Sequence, residues 1–284
     1  MKVEELMNSP VYCIHPDDSV AHARNLFLSK KVGRLVVVEG ERPVGIITKT
    51  DVAMRLREAE PEWRRRPIDR IPVKLLMTGE LITVDPGEDV EEAAKLMVEN
   101  EIEGIPVVEN DKLVGIITST DMLSYYVSKG YDETVEEVMK KEVPVVHRYH
   151  SLNSVIEEME EKKAKRVIVV DAENLPIGII TTSSLAFLTL VRTSGEMPEK
   201  EIKFVRKSET GGRRMYRDVH RFILVAEDVM SSPLVTVSPE EKASEAALLM
   251  RKERIGGLPV VRDGELVGLV EKMDFVKRIV ERGE

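Results

Sequence analysis

Two four-residue segments carry side chains suited to chemistry: Thr48-Lys49-Thr50-Asp51 and Thr118-Ser119-Thr120-Asp121. Each stands where an apolar, β-branched run gives way to a helix-forming stretch, so the Thr and Asp fall at a helix start. A helix start offers unpaired N–H groups and the positive end of the helix dipole, which suits a phosphate. The Thr hydroxyl adds a donor. An ionised Asp only accepts, so it is poorly placed against phosphate and well matched to a ribose diol, which donates twice. Thr and Asp together therefore fit a nucleotide better than a free phosphate. The same spacing is also a helix capping box, which needs no ligand, and on the motif alone that reading prevails.

The elements that must position these segments recur four times. VEELMNSPVYCIHP from Val3, VKLLMTGELITVDP from Val73, VEEVMKKEVPVVHR from Val135 and AEDVMSSPLVTVSP from Ala226 align without gaps, with a shared Met at Met7, Met77, Met139 and Met230. Thirty-eight residues later stands Gly45, Gly115 or Gly268, and in the third copy Gly178, displaced by one residue that we place in the turn Asp171-Ala172-Glu173-Asn174. A ruler of this length is a structural repeat. In the second copy Leu81-Ile82-Thr83-Val84 reads as a short strand, and Val90, Ala93, Ala94 and Met97 recur at helical spacing. Two apolar runs, Ile105 to Val108 and Leu113 to Thr118, flank the polar turn Glu109-Asn110-Asp111-Lys112, and a second helix follows from about Asp121 to Ser128. The order strand, helix, strand, strand, helix is an α/β unit, and one copy alone is too small for a full core.

The blocks Gly104 to Val108 (GIPVV) and Val114 to Asp121 (VGIITSTD) resemble the CBS repeat, and each copy carries its own version of both. The resemblance implies four repeats packed as two pseudo-symmetric pairs, or Bateman modules, an organisation similar to the gamma subunit of AMP-activated kinase. The boundaries read as repeat one at 1–59, a linker at 60–72, repeat two at 73–130, repeat three at 131–192, a basic insertion at 193–225 and repeat four at 226–284.

The family binds adenosine ribose and phosphate where Thr-x-x-Asp stands. The resemblance thus implies Asp51 and Asp121 as ribose ligands, with Thr48 and Thr118 near phosphate. The third copy reads Thr181-Thr182-Ser183-Ser184, and Ser184 caps a helix but grips a diol weakly. The fourth reads Glu271-Lys272-Met273-Asp274, keeping the ribose Asp274 while Glu271 puts negative charge where phosphate would approach. That copy is then either empty or holds a ligand with little negative charge there, such as S-adenosylmethionine. Arg34 and Arg166 stand at equivalent strand starts where copies two and four have Gly104 and Gly257. They resemble the phosphate-reaching arginines of the kinase gamma subunit, and read equally well as surface charges. Thr83 and Thr236 are pocket-lining candidates by the same analogy.

The remaining features narrow the function. Hydrophobic residues make up 42% of the 284 and charged residues 33%, with a net charge of −9, so global disorder is not expected and neither nucleic acid nor membrane is a favoured partner. Charge-rich composition without a single glutamine suggests a thermophilic source. The lone Cys13 excludes an internal disulfide and reads as a small buried residue. No apolar run approaches a membrane span and no signal-type start is present, so a cytoplasmic protein is expected. His147 and His150 lack a carboxylate or cysteine at ligand spacing, so no metal site is expected. Phosphate-loop and nucleophile-elbow patterns are missing, and the repeats leave no room for a catalytic domain, so the chain is expected not to be an enzyme.

The insertion is basic: residues 203–221 hold seven Lys or Arg against two acids, and Thr210-Gly211-Gly212 suggests a hairpin. It reads as a solvated linker, or as a phosphate-contacting lid or partner-binding arm. The expected function is non-catalytic sensing of AMP, ADP or ATP through conformational change between modules, with no required cofactor and an unspecified regulated protein. S-adenosylmethionine sensing is the alternative ligand reading. An RNA- or ribosome-contacting protein using the insertion and Arg64-Arg65-Arg66 is the rival from another class. A homodimer is the alternative to a single-chain disc.

Overall fold

In chain order, the first copy contributes β1 (Cys13–Ile14), α1 (Val20–Ser29), β2 (Arg34–Glu39) and β3 (Arg42–Thr48), with helix begun over 49–52. The second contributes α2 (Val90–Glu99), β4 (Gly104–Glu109), β5 (Lys112–Thr118) and α3 (Ser119–Lys129). The third contributes α4 (Val135–Val138), β6 (Val145–His147), α5 (Leu152–Glu161), β7 (Arg166–Val170) and β8 (Pro176–Thr181). After β9 (Lys200–Lys207) and β10 (Met215–Phe222) come the fourth copy's α6 (Ala226–Val229), α7 (Ala243–Glu253), β11 (Gly257–Arg262), β12 (Glu265–Glu271) and α8 (Lys272–Gly283). This computed structural model describes residues 1–52, 68–185, 200–207, 215–222 and 224–283.

The strand signals become a parallel pair and a hairpin. β1 runs parallel to β2, which pairs antiparallel with β3, and β6, β7 and β8 repeat this order. In copies two and four the first strand shrinks to one parallel bridge, Val84 to Val107 and Val237 to Val260. The run Leu81 to Val84 thus supplies a bridge where its residue types suggest a strand: Val84 is buried, while Thr83 points outward. The hairpin of each of the four copies carries a register shift at the equivalent place, such as Val107/Val108. The turns explain the displaced glycine. In copies one and two only two residues join the strands, whereas the third copy pairs Val170 with Pro176 around a longer loop. There the Asp171 side chain accepts from the amides of Glu173 and Leu175 at 3.0 and 2.9 Å, replacing ladder bonds that the longer loop cannot make.

The chain divides into two compact units, Met1–Val143 with Leu234–Glu284, and Pro144–Pro233. This division cuts through copies three and four because each copy's opening arm lies on another copy. In the first unit, Asn8 exchanges backbone bonds with Ile116 (2.9 and 3.0 Å) and Thr78 with Ile46 (2.9 and 3.0 Å). Lys140 exchanges them with Leu269, both at 2.9 Å. In the second unit, Ser231 pairs with Ile179 at 2.9 and 3.2 Å. The 38-residue ruler therefore records contacts between copies. A side chain at Gly115 would strike Met7, one at Gly45 Met77, one at Gly268 Met139, and one at Gly178 Met230.

At Gly268 a methyl would also come within 2.9 Å of the Lys140 carbonyl oxygen, so the backbone itself must give way. Gly268→Ala is expected to cost about 1–3 kcal/mol, the usual penalty for overfilling a packed site. Chemical denaturation reads the loss. An unchanged midpoint would mean that the arm yields freely.

The core of the first unit joins copy two to copy four. Tyr125 and Tyr126 of α3 and Phe275 of α8 are fully buried, and the Tyr126 ring meets that of Phe275 edge-on at 5.0 Å between centroids. The second unit has its own core, built on Val155, Val167, Val169, Ile180 and Ala226. Within that unit, among the described residues, β9 and β10 form a two-stranded sheet, antiparallel from Met215–Lys207 to Phe222–Lys200. The Thr210-Gly211-Gly212 step and Arg64 to Arg66 lie outside the described residues.

Candidate functional site: the helix starts of the four copies

Each Thr-x-x-Asp closes on itself as a cap. Thr118 precedes the first residue of α3, so the helix starts two residues before Asp121, which is its third residue. The Asp121 Oδ2 accepts from the Thr118 amide at 2.8 Å and from its hydroxyl at 2.6 Å. Asp51 does the same with Thr48, at 2.8 and 2.7 Å. In this structure the Thr hydroxyl donates to the carboxylate. What the cap leaves for chemistry is the second carboxylate oxygen, Oδ1.

The hairpin register fixes what faces the cap. Arg34 pairs with Thr48 and Gly104 with Thr118, while Arg166 pairs with Thr181 and Gly257 with Glu271. Arg34 does not stay over its own copy. Its side chain runs across Gly104, where a Cβ would lie 3.0 Å from Cζ and 3.1 Å from Cδ. Its Nη2 lies 3.7 Å from Glu103 Oε2. Burial pushes the guanidinium below its ordinary pKa, while Glu103, Asp121 and Asp51 pull it back up. Arg34 therefore stands between the two Asp caps of the first pair, and Gly104 is the gap that admits it. Beside it Lys49 is half-buried, and burial lowers its pKa.

Sequence reasoning missed the residue that follows each shared Met. The arm bridges carry that residue to the helix start of another copy. In copy two Asn8 Nδ2 donates to Asp121 Oδ1 at 2.8 Å. In copy four the Lys140 ammonium lies 2.7 Å from Glu271 Oε2 and 3.3 Å from Asp274 Oδ1. Asp51 Oδ1 has no hydrogen-bond partner among the described residues. The signal was available as the variable position after a constant Met, where Asn8, Thr78, Lys140 and Ser231 differ in charge and reach.

Copy four therefore differs from its sequence reading. The charge of Glu271 is partly offset, because Lys140 is shared between it and Asp274. Asp274 is only 5% exposed, burial raises its pKa, and Lys140 opposes that rise. In copy three Ser184 takes the Asp position and bonds with Thr181 Oγ1 at 2.8 Å, a cap without a carboxylate. Lys272, the residue after Glu271, donates to Thr120 Oγ1 at 2.7 Å and so ties copy four to the helix start of copy two.

The remaining candidates sit apart from this chemistry. Thr83 and Thr236 are exposed, each just before a buried Val. The His147 and His150 rings are 6.2 Å apart between centroids, and no group of three metal-binding side chains occurs among the described residues. Cys13 is half-buried where a buried residue was expected, and burial pushes its thiol up. Among the described residues no helix is long and apolar enough to cross a membrane.

Comparison with known proteins also finds four copies, the second of them beginning within the stretch read as a linker. The CBS domain family model matches residues 3–58, 64–128, 135–188 and 225–281. Protein MJ1225 of Methanocaldococcus jannaschii is 31% identical over 291 aligned positions, covering 98% of this chain and 97% of that protein. Its crystal structure, described as that of a proposed archaeal homologue of the AMP-activated kinase gamma subunit, superposes with a TM-score of 0.78 over 98% of this chain and 99% of that one. The superposition pairs residues by position and gives 20% identity, so it speaks to fold, and the sequence alignment is the better measure of kinship. A conserved protein from Pyrococcus horikoshii superposes at 0.63 with 22% identity, covering 99% of this chain and all of that one. A second Methanocaldococcus jannaschii protein, MJ1404, is 36% identical over 132 residues, which cover 44% of this chain and 31% of that protein. The chain likewise covers 38% of the relative MJ1232.

Proposed function

The chain belongs to the CBS domain family, and we propose that it binds an adenine nucleotide in its first pair of repeats and reports occupancy to a protein partner without catalysing a reaction. The observation that carries this reading is the placement of Arg34, which pairs with Thr48 of one Asp cap and lies across Gly104, the partner of Thr118 in the other. In this reading the carboxylates accept the ribose hydroxyls and the guanidinium, with Lys49 nearby, receives phosphate. Kinship over nearly the full length of both chains with MJ1225, described as a proposed archaeal homologue of the AMP-activated kinase gamma subunit, supports a regulatory role.

Reporting requires two states that the ligand distinguishes, since a ligand shifts an equilibrium only by its differential affinity. Asn8 is suited to that role. It sits on the opening arm and occupies Asp121 Oδ1, so a ribose arriving there must share or displace it. Occupancy of the second copy would then be felt by the arm of the first. AMP, ADP and ATP share the groups this site would recognise, and S-adenosylmethionine shares the ribose but lacks the phosphate that Arg34 would hold.

Native mass spectrometry of the purified chain tests the proposal. An added mass matching an adenine nucleotide is expected, either co-purified or after incubation with AMP. Mass added by S-adenosylmethionine and not by AMP would move the assignment to that ligand. No added mass with either would remove the proposal.

A further inference from the structure

We infer that the fourth repeat is closed from within: the Lys140 ammonium occupies the place where a ribose diol would meet Asp274, so this copy rejects adenosine ligands. The inference rests on the reading of Asp51 and Asp121 as ribose acceptors.

The geometry assembles in three steps. Met139 fills the space over Gly268, and the backbone of Lys140 exchanges two hydrogen bonds of 2.9 Å with Leu269. Lys140 is therefore held beside the strand that leads into the cap. Its ammonium then meets Glu271 Oε2 at 2.7 Å and Asp274 Oδ1 at 3.3 Å. The other oxygen of Asp274 already accepts the Glu271 amide at 2.8 Å. Both oxygens of the carboxylate are thus engaged inside the protein.

The contrast with the first pair is one of charge. Asp121 Oδ1 is bonded to a neutral amide from Asn8, which a ligand hydroxyl can replace at small cost. A neutral diol that displaced Lys140 would exchange an ion pair for two hydrogen bonds. It would also take the counter-charge of Lys140 away from the buried Asp274. A phosphate would meet Glu271 in addition. Among the four residues after the shared Met, only Lys140 carries a charge, and it stands opposite the only copy with two acids in its cap.

The test counts binding sites by calorimetric titration of the full chain with AMP and, separately, with S-adenosylmethionine. Asp274→Asn is expected to bind as many ligands as the wild type. Lys140→Ala combined with Glu271→Thr rebuilds Thr-x-x-Asp without the plug and is expected to gain one AMP site per chain. Loss of a site in Asp274→Asn, with either ligand, would overturn the closure. So would a double variant that keeps the sites of the first pair and gains none. A wild type that binds nothing while the double variant binds once would support the closure and remove the proposed function. Silence in both proteins overturns both. Should the double variant fail to fold, the count for Asp274→Asn alone still decides.

Discussion

Replacing Arg278 and Arg282 together by alanine is expected to destabilise the chain by about 3–5 kcal/mol, the cost of leaving a buried charge without its partners. The charge is that of Glu133, which is 3% exposed. Its Oε1 lies 2.9 Å from Arg282 Nη2 and 3.6 Å from Arg278 Nε, and its Oε2 accepts from the Tyr126 hydroxyl at 2.6 Å. Glu133 raises the pKa of Arg282, Glu281 and then Glu133 raise that of Arg278, and burial with Glu133 pushes the Tyr126 phenol far above its ordinary range. The groups come from three places: α3 of the second copy, the segment before α4, and α8 of the fourth. Removing both arginines leaves the buried carboxylate with the Tyr126 phenol. Denaturant titration should show the loss, and Glu133→Gln, which keeps a partner for Tyr126, should lose less. A change under about 1 kcal/mol would place the cluster with exposed ion pairs, which contribute little.

The second large effect falls on ligand binding. In Asp51→Ala combined with Asp121→Ala, each site loses charge-assisted hydrogen bonds worth about 1.5–3 kcal/mol apiece, so AMP affinity should fall at least tenfold, since about 1.4 kcal/mol is a factor of ten. Both residues also cap helices, so alanine will weaken the fold as well. Asp51→Asn combined with Asp121→Asn separates the two effects. An amide oxygen still accepts from the Thr48 and Thr118 amides, while the charge that grips a diol is gone. The asparagine pair should keep its thermal midpoint near that of the wild type and still lose affinity.

Much of the fold was legible because the repeat is written in residue types that each have a local cause. Apolar runs around polar turns made the hairpins, helical spacing of Val90, Ala93, Ala94 and Met97 made one buried face, and the one-residue displacement of Gly178 located a longer turn. The Met–Gly ruler was legible as a ruler, but its cause was not. A constant spacing along the chain suggests a contact within one copy, whereas Met7 fills Gly115 and Met77 fills Gly45.

The site was half legible for the same reason. Thr48, Asp51, Thr118 and Asp121 are local, and their cap follows from helix geometry. That Arg34 leans across Gly104, that Asn8 reaches Asp121, and that Lys140 reaches Asp274 depends on which copy each arm lies upon. No spacing within a copy encodes that. Glu133 was not singled out, because nothing local marks an acid whose arginine partners stand more than a hundred residues away.

Calorimetric titration of AMP into the wild-type chain and into the Asp51→Asn, Asp121→Asn double variant tests the central claim most directly. The wild type should bind, and the double variant, with an unchanged thermal midpoint, should bind at least tenfold more weakly. Equal affinity and equal stoichiometry in the two proteins would contradict the assignment of these carboxylates to the ligand and leave them as helix caps alone.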